Sequence, residues 1–372
     1  MLPANPNHNA MSGPEPLPNQ PIYINARFLC QPLTGVQRYS LEVLRALDAL
    51  AQPGQFIALC PAPPSLPVQL RNIELRVGPC LNGNLWEQLY LPWKTRGALL
   101  FSPANVGLYF KKRQIVTMHD MSVFACPDAY TTKFRFKYRL LFKRLAKSAE
   151  RVLTVSEFSK GEIQKYLGVP PEKITVTYEG WEHMTRITAE SSILQRLGLD
   201  GKPFFLAVGS FSRHKNLQVL LAANALLDKR RYRIVLVGAG NPRVFSPTPL
   251  PEAPNLVLSG RLTDGELKAL YQRAAALVFP SLYEGFGLPL LEAMACGCPV
   301  ICSDIPSSRE VCAEAALYFD PRSANDLAEK MWEILEQPEL ILRLREAGRR
   351  RSGAYSWEQT VKLTFRIILQ SE

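Results

Sequence analysis

The sequence predicts an α/β protein with two doubly wound, mostly parallel sheets, one in each half of the chain. Short apolar segments typical of buried strands alternate with helical segments, which is the pattern of parallel sheets. These segments fall into two separate series. The chain has 372 residues, which is longer than a domain with a single hydrophobic core usually is. Hydrophobic residues make up 47% of it, enough to fill two cores. We therefore expect two domains, each with its own sheet.

The first series begins with a predicted strand at Ile22–Leu29, followed by a loop and an amphipathic helix over about Val36–Leu50. Thr34 and Gln37 have the spacing of a capping box at the start of this helix. Further strands are predicted at Phe56–Cys60, Leu75–Val77, Leu99–Ser102, Ile115–Met118, Val152–Val155 and Ile174–Thr177.

The second series consists of predicted strands at Phe204–Val208, Arg233–Val237, Leu256–Ser259, Leu277–Phe279 and Val300–Cys302. Between the two series, Glu182–Lys202 lacks strand character. Capping boxes are predicted at Thr263/Glu266 and at Ser356/Gln359, the latter before a last helix, Trp357–Leu369. The predicted divisions are a tail at 1–20, a first domain at 21–185, a linker at 186–202, a second domain at 203–355 and a C-terminal helix at 356–372.

The net charge of +11 indicates an anionic partner: a nucleotide, a phospholipid surface or a nucleic acid. No apolar run approaches the length of a membrane span, and the first residues have neither a basic nor an apolar signal region. We expect a disordered Pro/Asn-rich tail on a cytoplasmic protein. The eight cysteines are scattered, and Cys296 and Cys298 have no matching second pair. Buried reduced thiols are therefore expected, and no metal site.

A basic segment over residues 131–151 alternates Lys and Arg with aromatic residues and leucines. Such a segment either lies on an anionic membrane surface or is an ordinary helix with a solvated basic face. The first interpretation would place the protein at the inner face of the cell membrane. Nucleic acid is not favoured as a partner, because the segment has no recognised nucleic-acid-binding pattern.

The most informative segment is Phe279–Asp304, FPSLYEGFGLPLLEAMACGCPVICSD. Gly285 and Gly287 allow a turn that a Cβ would obstruct, and Pro289 suits a first helical position. The backbone amides around Phe286–Leu288 and the positive end of the following helix should therefore point at one spot. An anionic diphosphate would be held there.

Two carboxylates flank that spot, Glu284 in the loop and Glu292 in the opening turns of the helix. A carboxylate only accepts hydrogen bonds and can take both hydroxyls of a vicinal diol, so one suits a ribose and the other a hexose. Each glutamate alone could be an ordinary surface or helix-end charge. Together with the glycines and the proline they form an E-x7-E pattern, and the chain from about Ile22 onward resembles the family-4 retaining glycosyltransferases.

The resemblance implies the GT-B fold, in which two Rossmann-like domains face a central cleft and the C-terminal helix crosses back to the first domain. It implies transfer of a hexose from a nucleoside diphosphate sugar to a glycan or a polyprenyl-diphosphate-linked saccharide. The leaving phosphate then helps to deprotonate the incoming hydroxyl. The resembled fold needs neither a metal nor another cofactor for this step, and the protein supplies positioning and charge stabilisation.

A second candidate loop, Val208–Asn216, follows the first strand of the second domain, where open α/β sheets bind ligands. Arg213 and Lys215 could neutralise a diphosphate there, although an exposed basic turn is the plain alternative. The resemblance assigns Lys215 to the donor phosphates. Many members have an arginine directly after the loop glycine, Gly209; here that position is Ser210, and Arg213 is the candidate substitute.

His119 ends another predicted strand, in the first domain. A structural histidine is the alternative, but the resemblance places His119 near the transferred sugar. By the same resemblance Gly35 approaches the donor phosphates, where the alternative is a simple helix-entry glycine. The turn Gly260-Arg261 is assigned to the nucleobase.

The predicted function is a retaining hexosyltransferase. Stretches similar to Thr34–Tyr39 and Tyr283–Pro289 occur among bacterial polysaccharide enzymes, some of which use GDP-mannose, so mannose is a candidate sugar. Two alternatives stay open: a nucleotide-sugar epimerase or hydrolase on the same scaffold, and a non-catalytic, membrane-associated assembly partner.

Overall fold

The computed structural model of the chain describes residues 20–81, 83–199, 201–238, 244–245 and 253–372. The predicted disordered tail, residues 1–20, lies outside the described residues except for Gln20.

The first sheet confirms the predicted parallel, doubly wound arrangement. Its strand order is β3-β2-β1-β4-β5-β6-β7, and the pairings are parallel. The strands are β1 Ile22–Asn25, β2 Phe56–Cys60, β3 Glu74–Val77, β4 Leu100–Ser102, β5 Gln114–Thr117, β6 Arg151–Thr154 and β7 Ile174–Val176. The helices are α1 Gly35–Leu50, α2 Gly83–Leu85, α3 Leu91–Lys94, α4 Ser122–Ala125, α5 Thr132–Ser148 and α6 Glu157–Leu167, with a π-helical turn at Trp86–Tyr90.

The second sheet is also parallel, with the order β10-β9-β8-β11-β12-β13. Its central strands are buried on both faces, which explains their near-continuous apolar sequences. The strands are β8 Phe204–Val208, β9 Arg233–Val237, β10 Leu256–Gly260, β11 Ala276–Phe279, β12 Val300–Ser303 and β13 Leu317–Phe319. The helices are α7 Ser192–Arg196, α8 Leu217–Leu226, α9 Asp264–Arg273, α10 Leu288–Ala295, α11 Pro306–Cys312, α12 Ala324–Glu336, α13 Pro338–Ser352 and α14 Trp357–Gln370.

The last helix, α14, packs against the first sheet's side of the molecule. The Phe365 ring centroid lies 6.0 Å from that of Phe56 on β2, and the Trp357 ring lies 5.8 Å from Tyr39 on α1. These aromatic contacts bury one face of α14 against elements more than 300 residues earlier in the chain.

The chain between the two sheets is bound to the second sheet's helices. The Glu190 N–H donates to the Gly265 carbonyl at 3.0 Å, and Lys268 Nζ donates to the carbonyls of Met184 and Ile187 at 2.8 and 2.7 Å. This segment, expected to be a linker, also contains helix α7.

Charged side chains connect the first domain, which contains the first sheet, to the second domain, which contains the second sheet. The Glu310 carboxylate on α11 accepts from the backbone N–H groups of Glu157 and Phe158 at 2.7 and 3.0 Å, at the start of α6. An anion at a helix N-terminus is favourable. Arg38 on α1 pairs with Asp264 on α9 at 2.5 Å. The two sheets therefore face each other with their loops in contact.

Strand β1 is shorter than predicted and is followed by a 3-10 turn at Arg27–Cys30. The Ala26 N–H still bonds to the Leu59 carbonyl, after which the chain turns. Phe28 and Leu29 are buried in the core although they lie in the turn, so their apolar character could not distinguish strand from turn.

One capping box was predicted wrongly. The side chains of Thr34 and Gln37 bond to each other, and Thr34 caps no backbone N–H. The box at Thr263/Glu266 forms with both of its hydrogen bonds, at 3.1 and 2.9 Å. Of the box predicted at Ser356/Gln359, one half forms among the described residues: Ser356 Oγ accepts from the backbone N–H groups of Glu358 and Gln359 at the start of α14.

The eight cysteines are free, but not all are buried. Burial raises the pKa of the Cys298 thiol to about 12, since an apolar site disfavours the thiolate. Cys80 is exposed and Cys30, Cys126 and Cys296 are half-buried, so the expectation of buried thiols was too general.

Candidate functional site

The candidate site lies where the strand order of the second sheet reverses. From β8 the chain winds outward through β9 to β10, and then returns to pair β11 beside β8. The loops after β8 and β11 consequently separate and leave a crevice between them, where open α/β sheets bind ligands. Lys215 belongs to the first of these loops and Glu284 to the second.

These two side chains form an ion pair across the crevice. Lys215 Nζ lies 2.6 Å from Glu284 Oε1, with side-chain exposures of 20% and 13%. The ammonium also lies 5.6 Å from the centre of the Phe279 ring. The pair is thus partly desolvated yet still reachable, and the ammonium offers donors that an anionic ligand could share.

The two predicted basic residues of the loop after β8, Lys215 and Arg213, lie in different environments. Lys215 points into the crevice, whereas Arg213 is exposed. Between them His214 is buried, and desolvation, together with the Lys215 charge, lowers its pKa to about 3. The His214 ring stacks on Tyr130 of the first domain at 5.8 Å. Ser210 Oγ lies 3.1 Å from Ser212 Oγ within the same loop.

The loop after β11 touches the first domain through Gly285. A Cβ at this position would collide with the carbonyl oxygen of His119. The Gly285 carbonyl accepts from Ser156 Oγ at 2.5 Å and from Ser159 Oγ at 3.0 Å. Gly287 has a φ of 104°, which favours glycine, and forms the N-cap of α10. Gly287 therefore serves the predicted turn, whereas Gly285 serves a close approach to the first domain that was not predicted.

The side chains of Phe286 and Leu288 are buried in the core. Only their backbone amides could contact a ligand, which is the contribution predicted for them. Helix α10 begins at Leu288 with Pro289 in its first positions, so the helix end lies beside the crevice.

Glu292, on α10, is 7% exposed and has two partners in the described structure. His183 Nε2 lies 2.9 Å from Glu292 Oε1, and the Tyr271 hydroxyl donates to Oε2 at 3.1 Å. Burial raises the pKa of Tyr271 well above its usual value, and the Glu292 carboxylate adds to this effect.

His119 follows β5 and is buried, at 5% exposure. Its Nε2 lies 2.9 Å from the Pro103 carbonyl and its Nδ1 lies 3.9 Å from Glu179 Oε1. Burial raises the pKa of Glu179, while the His119 ring opposes this rise. Both ring nitrogens thus face protein groups, and the part of His119 that meets the second domain is its backbone carbonyl.

The remaining predicted residues lie around this centre. Gly209 directly follows β8 and its N–H bonds to Val237 at 3.0 Å, while the Gly260 carbonyl accepts from Gly238 at 2.9 Å. Gly209 and Gly260 therefore lie at the carboxyl ends of β8 and β10. Arg261 is exposed beyond Gly260, and Gly35 is exposed at the start of α1 with room for a Cβ.

Sequence reasoning missed Glu179 and His183, the partners of His119 and Glu292. Both follow the carboxyl end of β7, and polar residues at that end of a parallel strand were a usable signal. Among the described residues, no group of three or more His, Cys, Asp or Glu side chains could hold a metal ion. In the same ranges no helix is long and apolar enough to cross a membrane.

The two facing parallel sheets, with charged loops at a switch point, have the architecture of the GT-B class. The chain belongs to the family described by two models that match consecutive parts of it: Glycosyltransferase Family 4 over residues 33–183 and Glycosyl transferases group 1 over residues 190–351.

Two named relatives agree with this assignment, and one solved structure agrees with the fold. The chain is 33% identical to O-antigen chain mannosyltransferase B of Escherichia coli, over 68% of this chain and 69% of that protein. It is 29% identical to O-antigen chain mannosyltransferase RfbU of Salmonella typhimurium strain LT2, over 87% of this chain and 93% of that protein. The fold matches that of Anabaena HepE in complex with UDP and glucose, with a TM-score of 0.72 and 13% identity, over 94% of this chain and 99% of that chain.

Proposed function

We propose that the protein is a retaining glycosyltransferase that moves a hexose, with mannose as the first candidate, from a nucleoside diphosphate sugar to a saccharide acceptor. The observation that carries the proposal is the Lys215–Glu284 pair at 2.6 Å, in the crevice at the switch point of the second sheet. Gly285, next in the chain, brings this crevice against the His119 peptide of the first domain. A donor and an acceptor could meet at that contact.

The proposed chemistry breaks the bond between the sugar C1 and the diphosphate oxygen and forms a bond from C1 to an acceptor hydroxyl oxygen. The hydroxyl proton goes to the departing phosphate, so charge develops on the diphosphate. Lys215 and the backbone amides around Phe286–Leu288 are placed to stabilise that charge. Glu284 accepts from the hexose hydroxyls and Glu292 from the ribose.

The names of the relatives support the choice of sugar and pathway. Both curated relatives named above are O-antigen mannosyltransferases, which favours mannose and bacterial polysaccharide biosynthesis. HepE, whose fold is similar, was solved with UDP and glucose, which supports a nucleoside diphosphate sugar as donor. The acceptor would be a saccharide, free or linked to a polyprenyl diphosphate.

A thermal-shift panel tests the proposal directly, with GDP, UDP and ADP and the mannose and glucose conjugates of each. A ligand at about 100 times its Kd stabilises the folded state by about 2.7 kcal/mol. A rise in melting temperature with one nucleotide series is expected, and no response from any of them would refute donor binding.

Product analysis then separates the candidate activities. Transfer with retention is expected to give an α-linked product from an α-linked donor, read from the one-bond C1–H1 coupling of the anomeric centre by NMR. Donor consumption that does not depend on a saccharide would instead support the epimerase or hydrolase alternative. Membrane or protein binding without saturable nucleotide-sugar binding would support the non-catalytic alternative.

A membrane-facing role of α5 is the second part of the proposal. After its first residue, Thr132, the exposed side chains of α5 form one stripe that mixes cationic and apolar groups and contains no acidic residue: Lys133, Phe136, Leu140, Lys143, Arg144 and Lys147. Such a face is complementary to an anionic lipid surface. We call it the α5 stripe.

Neighbouring elements extend the α5 stripe. The Arg144 guanidinium lies 5.7 Å from the ring of Phe110, which is 82% exposed. Lys137 Nζ donates to Asn84 at 2.6 Å and so joins α5 to the helical segment 83–94. That segment exposes an apolar residue every four positions: Leu85, Leu89 and Trp93. Exposed apolar groups beside clustered cations support a peripheral membrane surface, which would bring the cleft to a lipid-linked acceptor.

A further inference from the structure

His183 is a buried histidine at the point where the chain passes from the first sheet to the second. It lies in the 3-10 turn Glu182–Thr185 and is 2% exposed. Both ring nitrogens have partners from distant elements. The Trp357 indole N–H, on α14, donates to Nδ1 at 3.1 Å, and Nε2 lies 2.9 Å from Glu292 Oε1 on α10.

The indole partner fixes the tautomer of the ring. An indole nitrogen can only donate, so His183 Nδ1 must accept and carries no proton. The proton of the neutral ring is then on Nε2, from which it is donated to Glu292. Trp357 therefore determines which nitrogen of His183 is offered to the carboxylate.

The Glu292 carboxylate is held at both oxygens, by His183 at Oε1 and by the Tyr271 hydroxyl at Oε2. A carboxylate offers about four acceptor positions, so one remains on each oxygen. One acceptor position on each oxygen of a fixed carboxylate can take the two hydroxyls of a vicinal diol. A freely rotating carboxylate would have to be ordered when the ligand binds, at a cost in side-chain entropy.

We propose that His183 is a positioning residue for the donor site: through its Nε2–H it holds Glu292 in the orientation that accepts the ribose diol of the nucleotide. The inference rests on the proposed function, in which Glu292 contacts the ribose. It adds that the segment crossing between the domains, together with α14, sets the geometry of nucleotide recognition.

Two conservative variants separate the two bonds of His183. In His183→Gln the side-chain amide nitrogen occupies roughly the place of Nε2 and can still donate to Glu292, but the acceptor for Trp357 is lost. In His183→Asn the shorter amide can accept from Trp357, but its donor falls short of Glu292. His183→Gln therefore keeps the hydrogen bond to Glu292, and His183→Asn keeps the hydrogen bond from Trp357.

The readout is the preference for a ribose over a ribose without its diol. Calorimetric titration measures the Kd of GDP and UDP, each against its 2′,3′-dideoxy form. The unaltered protein is expected to bind the preferred ribonucleotide at least about tenfold more tightly than the dideoxy form, since hydrogen bonds to a charged group are among the stronger ones. His183→Gln should keep most of this preference, and His183→Asn should lose it to within about twofold.

Equal preference in the two variants would overturn the inference, as would a full preference in His183→Asn. Failure of GDP and UDP to bind the unaltered protein would instead refute the proposed function, and the inference with it. A ¹⁵N spectrum of labelled histidine tests the tautomer without any variant. An unprotonated Nδ1 and a protonated Nε2 are expected, and a protonated Nδ1 would refute the argument.

Discussion

Removal of the Lys215 charge tests whether the Lys215–Glu284 pair has a role in turnover or only in stability. Lys215→Met keeps a similar side-chain volume but leaves the Glu284 carboxylate without its cation. The matching variant, Glu284→Gln, keeps the shape of the carboxylate and removes its charge. The double variant removes both charges at once.

The expected magnitudes follow from the geometry. Two unit charges 2.6 Å apart attract by about 6 kcal/mol at an effective dielectric constant of about 20, most of which is offset by desolvation of the two groups. Because both side chains are largely buried, we expect each single variant to lose about 2 kcal/mol and to melt a few degrees lower. The double variant leaves no unpaired charge and should regain most of that stability.

Turnover should behave differently. Deletion of one preorganised charge stabiliser typically costs about 10² to 10³ in turnover. We therefore expect all three variants to transfer sugar at least about 10²-fold more slowly with the preferred donor, measured at saturating donor. Turnover restored together with stability in the double variant would refute the proposed role and leave the pair as a structural contact.

Lys330 and Glu333 on α12 provide a matched control. Their charged atoms are also 2.6 Å apart, with side-chain exposures of 23% and 25%. Lys330→Met removes a comparable ion pair at a surface away from the cleft. Turnover should stay unchanged in this variant.

Three further outcomes are expected. Gly285→Ala should reduce turnover about 10²-fold with little change in nucleotide affinity, because the added methyl would push the loop off the His119 carbonyl. The control is Gly161→Ala on α6, where a Cβ meets open space. A Gly285→Ala variant with normal turnover would show that the contact is dispensable. Glu179→Gln should lower turnover yet raise the melting temperature at pH 8. Burial raises the Glu179 pKa above its usual 4.5, so the cost of this carboxylate to the folded state grows as pH rises from about 4.5 to the raised pKa. A rise in melting temperature that is equally large at pH 4 would contradict this. Charge reversal on the α5 stripe should abolish co-sedimentation with anionic vesicles at low salt, while activity on a soluble acceptor survives. The same number of charge reversals on the second domain should leave co-sedimentation intact. If the unaltered protein stays in the supernatant, the membrane role is refuted. The stripe variant is Lys133→Glu, Lys143→Glu and Lys147→Glu, and the control is Lys202→Glu, Arg343→Glu and Arg350→Glu.

The fold class was predictable because buried parallel strands have a strong local signal. Five-residue apolar runs such as Phe56–Cys60 and Phe204–Val208 were predicted with their full bounds. Strand β13, Leu317–Phe319, an edge strand of the second sheet with two half-buried residues, was missed. Thr34 and Gln37 show the opposite failure, where a correct spacing formed a side-chain contact in place of a cap.

The candidate site was predictable only where its residues share a motif or follow a predicted strand. Glu284 and Glu292 lie in one loop and helix, and Lys215 follows β8, so local sequence was sufficient to select them. His183 depends on Glu292 and Trp357, which are 109 and 174 residues away. No short-range pattern relates such residues, and only the folded chain brings them together.

The position of α14 has a consequence for synthesis and for fragments. The ribosome synthesises the residues of the first sheet long before Trp357 and Phe365 of α14. The apolar surface around Tyr39 and Phe56, which α14 covers in the folded protein, therefore stays exposed until the end of synthesis. Domains otherwise tend to fold in the order of their synthesis. Here the first domain to emerge is the last to be completed, and a gene fragment that ends at Thr185 would encode an open, aggregation-prone sheet in place of a separable half enzyme.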